Sequence, residues 1–529
     1  MTPVTKPDST YPGITFSDRI LDSVHGYIEL TPVERKIIEL PIFKRLQSIK
    51  QLSLVNWVFP GAEHTRYTHS LGVMFLVDKM AIQLGFIDGD RQLIRLAGLL
   101  HDIGHYPLSH VGESAYKPSA EAYDTFIQLH INQTIQDINS IADSASLLHA
   151  GVIKDKPFHH EAIGARIIEN SAEINGLIKK YCAFINPLHI CDIITGKYSR
   201  FPELSAMIQL MHSELDADRM DYLLRDASFS GTSYGAVDTG IIIKNLTCKR
   251  KYGVDIVGIK PKGISATDQF LINRFFSKSQ IICNRHVSAL ELMAQAVIRY
   301  VSEKEMFDFP KINNLLQYVI SYESNTAFMK FTDHLFWNAV YALDKEIDLI
   351  KHPKYILDFA HMLAKHQEIK TITGSDITYS GLEQSVLFNS IVASQPYYNL
   401  SANSKGTFEK FLEGYNPPPD MDDNYFIQKA HIVTLTDNIP ESRYDELFLR
   451  KNGDADMAKD GARKDNYKKY RLQDGLAVID VGTTETDIHL LVDDHRSLVK
   501  SIFPLKVAIL REYNIFRYED ELDAVTMSF

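Results

Sequence analysis

Leu93-Ile94-Arg95-Leu96-Ala97-Gly98-Leu99-Leu100-His101-Asp102-Ile103-Gly104-His105 is the stretch on which the reading of this chain turns. An apolar run with helical spacing ends in an adjacent His and Asp, and Gly104 stops the helix. Imidazole nitrogen and carboxylate oxygen side by side are donors of the kind a divalent cation takes. Upstream, Tyr67-Thr68-His69-Ser70 supplies a second imidazole; downstream, Ser213-Glu214-Leu215-Asp216-Ala217-Asp218-Arg219-Met220-Asp221-Tyr222 supplies further carboxylates. On a helix Asp218, Tyr222 and Asp226 fall four apart, with Arg219 three before Tyr222, so one face carries a carboxylate, a guanidinium, a phenol and a second carboxylate. Leu215, Met220, Leu223 and Leu224 remain for packing. A surface helix stapled by ion pairs would not set a Tyr in the middle of its polar face. The set points to hydrolysis of a phosphate ester at a metal held between helices.

The composition frames this expectation. A chain of 529 residues, 45% apolar and 23% charged, is an ordinary water-facing protein large enough for two to four structural units. Its net charge of -11 argues against a general nucleic-acid coat, although a local basic pocket for one anion needs only a few Lys and Arg. Cys182, Cys191, Cys248 and Cys283 are scattered, which reads as free thiols in a reducing cytoplasm. Residues Met1 to Gly13 are polar and Pro-rich, unlike a signal peptide, and no stretch is apolar for the length of a membrane span.

Along the chain, residues 1–14 read as a loose tail and 15–305 as a helical core, with an insertion at about 112–158 rich in Ser, Ala, Gln and Asn. Val73–Phe86 and Arg91–His101 are expected helices, as is His160–Tyr181 in one run. Val254–Ile259 is too short and too β-branched for a helix and reads as a strand, preceded by a solvated turn at Lys249-Arg250-Lys251. Helices resume from Ser265 to Ser302 and continue to about Lys370. Beyond Asn424 the spacing changes: 430–435, 476–481 and 487–492 read as strands, separated by a charged loop at 450–470. The fold class expected is therefore mainly α, a helical core followed over 306–529 by a helical extension and a smaller mixed α+β region.

Several of these segments together resemble the HD-domain superfamily, in its deoxynucleoside triphosphate triphosphohydrolase branch. They are His-Gly-Tyr-Ile-Glu-Leu at 25–30, Phe43-Lys44-Arg45-Leu46, Ile49-Lys50-Gln51-Leu52, Phe59-Pro60-Gly61-Ala62, His101-Asp102-Ile103-Gly104-His105 with Pro107 and Ser109-His110, His160-Glu161, and Asp216 to Tyr222. The motifs stand in the family's order from about residue 15 to residue 300. The resemblance implies that His69, His101, Asp102 and Asp218 hold one divalent metal per active site, whether Mn, Mg, Fe or Zn. It implies that Arg66 and Arg219 grip a triphosphate, with Arg219 standing where some relatives have Lys. His110, with Glu113 three residues on, His160 and His105 match catalytic positions, and His110 is the expected proton donor to the departing 5′-oxygen. Gln51, Tyr222 and Asp226 match sugar contacts, and His286 and Asn284 fall where a later helix approaches the deoxyribose.

The implied reaction is water attack at the α-phosphorus of a dNTP, giving a deoxynucleoside and inorganic triphosphate. Homo-oligomers, a regulatory nucleotide and a role in lowering nucleotide pools, including those a replicating virus draws on, follow from the resemblance alone. Two departures stand out. Asn284 occupies the place of a Tyr that crowds out a 2′-hydroxyl, and Gln280 that of another His. At the regulatory position Glu39 is acidic as expected, but Lys44 and Gln47 replace the usual Gln and Arg. A phosphohydrolase acting on another nucleotide or nucleic-acid ester, and a nucleotide sensor without turnover, are the competing readings.

Overall fold

Two long helices pack on each other through buried apolar side chains. Arg66–Leu84 buries Leu71, Val73, Met74, Val77 and Met80, and Asp88–Leu100 buries Ile94, Leu96, Ala97, Leu99 and Leu100. The protein is seen in a computed structural model that describes residues 13–116, 158–196, 201–251, 254–324, 326–346, 351–367, 370–380, 425–434, 476–481, 486–491, 494–498 and 505–515. The tail through residue 12, most of the expected insertion and the charged 450–470 loop lie outside the described residues. The first helix begins seven residues earlier than the apolar pattern suggests, because its opening residues include Arg66, His69 and Ser70, which are polar yet buried.

An N-terminal hairpin precedes this pair, where the sequence suggested helix. Strands β1 (Asp18–Asp22) and β2 (Gly26–Leu30) are antiparallel, and Asp22 Oδ1 closes their turn by accepting from the Val24 and His25 amides at 3.0 and 2.9 Å. The expected single helix over 160–181 is two, His160–Asn170 and Ala172–Tyr181. Ser171 makes the break: its hydroxyl oxygen accepts from the Ile174 amide at 2.9 Å, starting a new helix. The Ala217–Ser230 helix then crosses Arg66–Leu84. Ile264–Ser277 and Arg285–Glu303 follow, joined through a π-helical turn at Lys278–Ile282.

Strand β3 (Leu246–Lys251) pairs antiparallel with β4 (Val254–Ile259). The Lys249-Arg250-Lys251 group is thus part of a strand and not the solvated turn its charge suggests; Lys251 Nζ reaches the Ile488 carbonyl at 3.1 Å. The later strands are β5 (Lys370–Ser380), β6 (Tyr425–Thr434), β7 (Ala477–Val481), β8 (Thr486–Leu490) and β9 (Leu505–Ile515). They include the three expected segments and two more. One sheet has the order β3-β4-β7-β8, with β4 and β7 parallel, and so takes strands from both sides of residue 305; another, antiparallel, has the order β5-β9-β6. The architecture is helical with a smaller mixed sheet region toward the C-terminus. The four cysteines are free thiols, and no helix among the described residues is long and apolar enough to cross a membrane.

Candidate metal centre

Three helices deliver the four expected ligands to one place. His69 lies in the first turn of Arg66–Leu84, His101 and Asp102 follow the last turn of Asp88–Leu100, and Asp218 stands in the first turn of Ala217–Ser230. His69 Nε2 is 2.9 Å from Asp218 Oδ1 and 3.9 Å from Asp102 Oδ2. His101 Nε2 is 3.4 Å from Asp102 Oδ1 and 3.8 Å from Asp218 Oδ1. Donor atoms bound cis to one ion at about 2.1 Å sit roughly 3 Å apart, so the cluster needs little adjustment to close around a cation.

The tautomers agree with this use. His101 Nδ1 is 2.9 Å from the Gly98 carbonyl, which only a protonated Nδ1 can satisfy, and His69 Nδ1 is 2.7 Å from Asp221 Oδ2. Both Nε2 atoms face the carboxylates, and both are buried without a properly aligned hydrogen bond among the described residues. The two rings meet at 71°, so their planes can converge on a single point. Burial would lower the His69 pKa, but Asp218 and Asp221 raise it to about 10, the mark of a pocket that calls for positive charge at this spot. Burial would likewise raise Asp102, yet Arg66, His101 and His69 hold it well below the usual carboxylate range.

A second histidine group adjoins the first through Asp102. Oδ1 of Asp102 lies 3.5 Å from His105 Nε2 and 3.9 Å from His160 Nε2. His105 and His160 stack at 4.0 Å with an interplanar angle of 18°, and His110 stands edge-on to both. Near-parallel imidazoles cannot both hold one ion in the plane of the ring, so in this arrangement the group suits proton handling better than a second metal. Glu113 organises it: Oε2 is 3.0 Å from His110 Nδ1 and 3.1 Å from His160 Nδ1. Burial would raise the Glu113 carboxyl, but His160 and His110 hold it far below its usual value, keeping it ionised. Burial pushes His105 and His160 down; Arg66 and His160 add to the effect at His105, while Glu113 partly opposes it at His160. Gly104 lets the His160–Asn170 helix start here, since a Cβ on it would fall 2.2 Å from the His160 carbonyl.

The basic residues flank these two groups. Arg66 is buried and donates to Ser109 Oγ at 2.9 Å and Asp102 Oδ2 at 2.8 Å, while its second terminal nitrogen reaches the Gln51 carbonyl at 3.4 Å. Gln51 Oε1 is buried without a partner among the described residues. Arg219 is half-buried, braced by the Ser213 carbonyl and by Asp216. Tyr222 is half-buried on the same helix. Asp226 is buried, and its Oδ1 lies 2.8 Å from His64 Nε2. Asn284 caps the Arg285–Glu303 helix by accepting from the His286 amide at 3.0 Å. That helix start packs on the loop after Gln51 through Ile281, Val287, Val55 and Ala62.

Sequence reasoning missed the buried charges behind His69. Asp221 contacts His69, lies 2.5 Å from His25 Nε2, and accepts from Arg225 Nε at 2.8 Å; Arg225 in turn donates to Asp22 at 2.9 Å. The only trace in the sequence is the i,i+4 spacing of Asp221 and Arg225, which equally describes a surface ion pair.

Comparison with known proteins places this geometry. The HD domain family model matches residues 66–226, a span that contains all four candidate ligands. An uncharacterized protein of Mycoplasma pneumoniae, the MG461 homolog, is 32% identical over 337 residues, covering 61% of this chain and 71% of that protein. Human deoxynucleoside triphosphate triphosphohydrolase SAMHD1 is 43% identical over 108 residues, 19% of this chain and 17% of the human protein. A crystal structure of a phosphohydrolase from Bacteroides thetaiotaomicron shares the fold, with a TM-score of 0.56 at 19% identity over 94% of this chain and 99% of that one.

Proposed function

We infer a substrate class from the premise that this chain belongs to the HD-domain superfamily, in its dNTPase-like branch: it hydrolyses deoxynucleoside triphosphates at the α-phosphorus, releasing a deoxynucleoside and inorganic triphosphate. The observation that carries the reading is the convergence of two imidazole nitrogens and two carboxylates beside the buried Arg66. His69, His101, Asp102 and Asp218 would hold a divalent ion, which when bound supplies Lewis-acid charge to a phosphate oxygen and lowers the pKa of a water.

The chain's own side chains account for the rest. Arg66 and Arg219 bear on the phosphates, for which a guanidinium is suited by its forked donors. Gln51 Oε1 offers an acceptor to a sugar hydroxyl, and Tyr222 a flat wall. As the bond from water oxygen to the α-phosphorus forms, the bond to the 5′-oxygen breaks and its electron pair is met by a proton from His110. Glu113, bonded to Nδ1 of His110, steadies the imidazolium before the transfer and fixes the ring afterwards. His160 shares the same carboxylate and, stacked on His105, closes the wall between His110 and Asp102.

The test is direct. Purified full-length protein with Mn is incubated with each dNTP and each NTP, and products are separated by ion-exchange chromatography. Stoichiometric inorganic triphosphate from dNTPs supports the reading. Release from NTPs alone, or of pyrophosphate or orthophosphate instead, moves it to another phosphohydrolase, and binding without any product moves it to a sensor.

A further inference from the structure

Residues 331–333 lie beyond the segment that carries the sequence motifs, yet they touch both loops of the site. The Phe331 carbonyl accepts from Arg45 Nη1 at 2.7 Å, and Nη2 of the same guanidinium donates to the Ile103 and His105 carbonyls at 2.8 and 2.9 Å. Two residues on, the buried carboxylate of Asp333 takes two backbone amides. Oδ1 accepts from Leu108 N at 2.7 Å and Oδ2 from Lys50 N at 2.9 Å.

The first of those amides belongs to a strained turn. Leu108 and Ser109 both have φ of 53°, Ser109 with ψ of -123°, just before the helix that begins at His110. Two consecutive non-glycine residues in this region persist only where their surroundings hold them. Ser109 uses the conformation: its hydroxyl donates to the Lys50 carbonyl at 2.6 Å and accepts from Arg66 Nε at 2.9 Å. One carboxylate thus fixes Lys50 and Leu108, those two fix Ser109, and Ser109 aims Arg66.

We propose that Asp333 is a positioning residue that holds the Leu108–Ser109 turn and so sets Arg66 to grip a polyphosphate. The proposal rests on the reading of Arg66 as a phosphate contact. It gives the segment after residue 305 a task in the site: it clamps the phosphate side, while among the described residues Asp333 itself touches none of the four candidate ligands and reaches Asp102 only at one remove, through Arg66. An Asn of equal size has one carbonyl oxygen and could keep only one of the two amides, its own NH2 facing the other.

The experiment uses full-length protein carrying D333N, S109A or both. Mn affinity is measured by titration, and then the affinity of the Mn-loaded protein for inorganic triphosphate by calorimetry. Each single variant is expected to bind triphosphate about tenfold more weakly, because misaimed contacts lose most of their benefit. The double variant should be no weaker than the worse single one, because both lie on one chain of contacts. Mn affinity should stay within about threefold of the unmodified protein, a split that general loosening of the fold would not produce. Triphosphate affinity unchanged in folded D333N, additive losses, or a parallel loss of Mn overturns the proposal. Should D333N fail to fold, S109A decides alone, since it leaves the Asp333 carboxylate and its amides intact. Failure of the substrate reading looks different: the unmodified protein would bind triphosphate yet release none from dNTPs.

Discussion

Asp221 Oδ2 lies 2.7 Å from Nδ1 of His69, on the far side of the ring from the proposed metal position, and both side chains are wholly buried. With an ion bound, the contact would hold the tautomer whose Nε2 offers its lone pair, and the negative charge would make that nitrogen a better donor. Asp221 is itself held by His25 and Arg225, so the ligand is oriented by groups from the N-terminal hairpin and a crossing helix. D221N is therefore expected to weaken divalent-ion binding about 10- to 100-fold. Titration with Co(II), followed by its visible spectrum, measures this without turnover; unchanged affinity would show that the orientation is set elsewhere.

Gly72 faces the same carboxylate. A Cβ there would fall 1.9 Å from Asp221 Oδ1 and 2.5 Å from Arg225 Nη2, neither of which has room to withdraw. G72A should cost about 1–3 kcal/mol of stability and weaken metal binding along with it. Denaturant unfolding and Co(II) titration of the same preparation check both, and a variant normal in the two would contradict the close packing described.

Ion binding should be visible in stability. A ligand at a hundred times its Kd stabilises a folded protein by about 2.7 kcal/mol. Chelation of the purified protein should lower its melting temperature and added Mn restore it, whereas the H101A/D102A double variant should show no response. A response that survives in the double variant would place the ion outside the four proposed ligands.

Glu113 binds two imidazoles with one oxygen, so its removal should disturb proton transfer more than metal loading. E113Q is expected to lower kcat about 10²-fold while Mn affinity holds within a few-fold. Steady-state kinetics across pH beside a Mn titration reads both. Loss of Mn with retained kcat would make the second histidine group part of the metal site.

The buried carboxyl of Asp333 gives a pH signature. Burial pushes its pKa up to about 6, against the pull of the Lys50 and Leu108 amides and the Lys50 charge. A folded-state pKa raised above the ordinary 3.8 means that its contribution to stability is full below that value and is lost as pH rises through about 6. Relative to D333N, which does not titrate, the unmodified protein should lose on the order of 3 kcal/mol between pH 3.5 and pH 7. Urea unfolding of both proteins across that range checks the sign; a flat difference would rule it out.

The proposed metal ligands were legible because their chemistry and order are local. A helix that ends in His-Asp, a preceding His and a later Asp on a helical face can be read one turn at a time, and the four side chains lie together in the fold. The Glu113–His110 pair was legible for the same reason, three residues apart in one helix. The start of the first long helix was not, because Arg66, His69 and Ser70 are buried for the site's sake and break the apolar stripe. The hairpin β1–β2 was hidden by its five-residue strands, and the division at Ser171 by an apolar pattern that runs through it.

By itself the sequence determined the class of fold, the ligand types and their attachment to helix ends, since these follow from side-chain chemistry and from spacing within a few turns. Tertiary structure alone decided which groups stand behind them. Asp221 joins His25, His69 and Arg225, and Asp333 joins Lys50 to Leu108, across separations in the chain that no periodicity encodes. A buried charge costs so much without a partner that the fold must supply one. Which residue it supplies depends on how the helices cross, and that is settled only when the whole core packs.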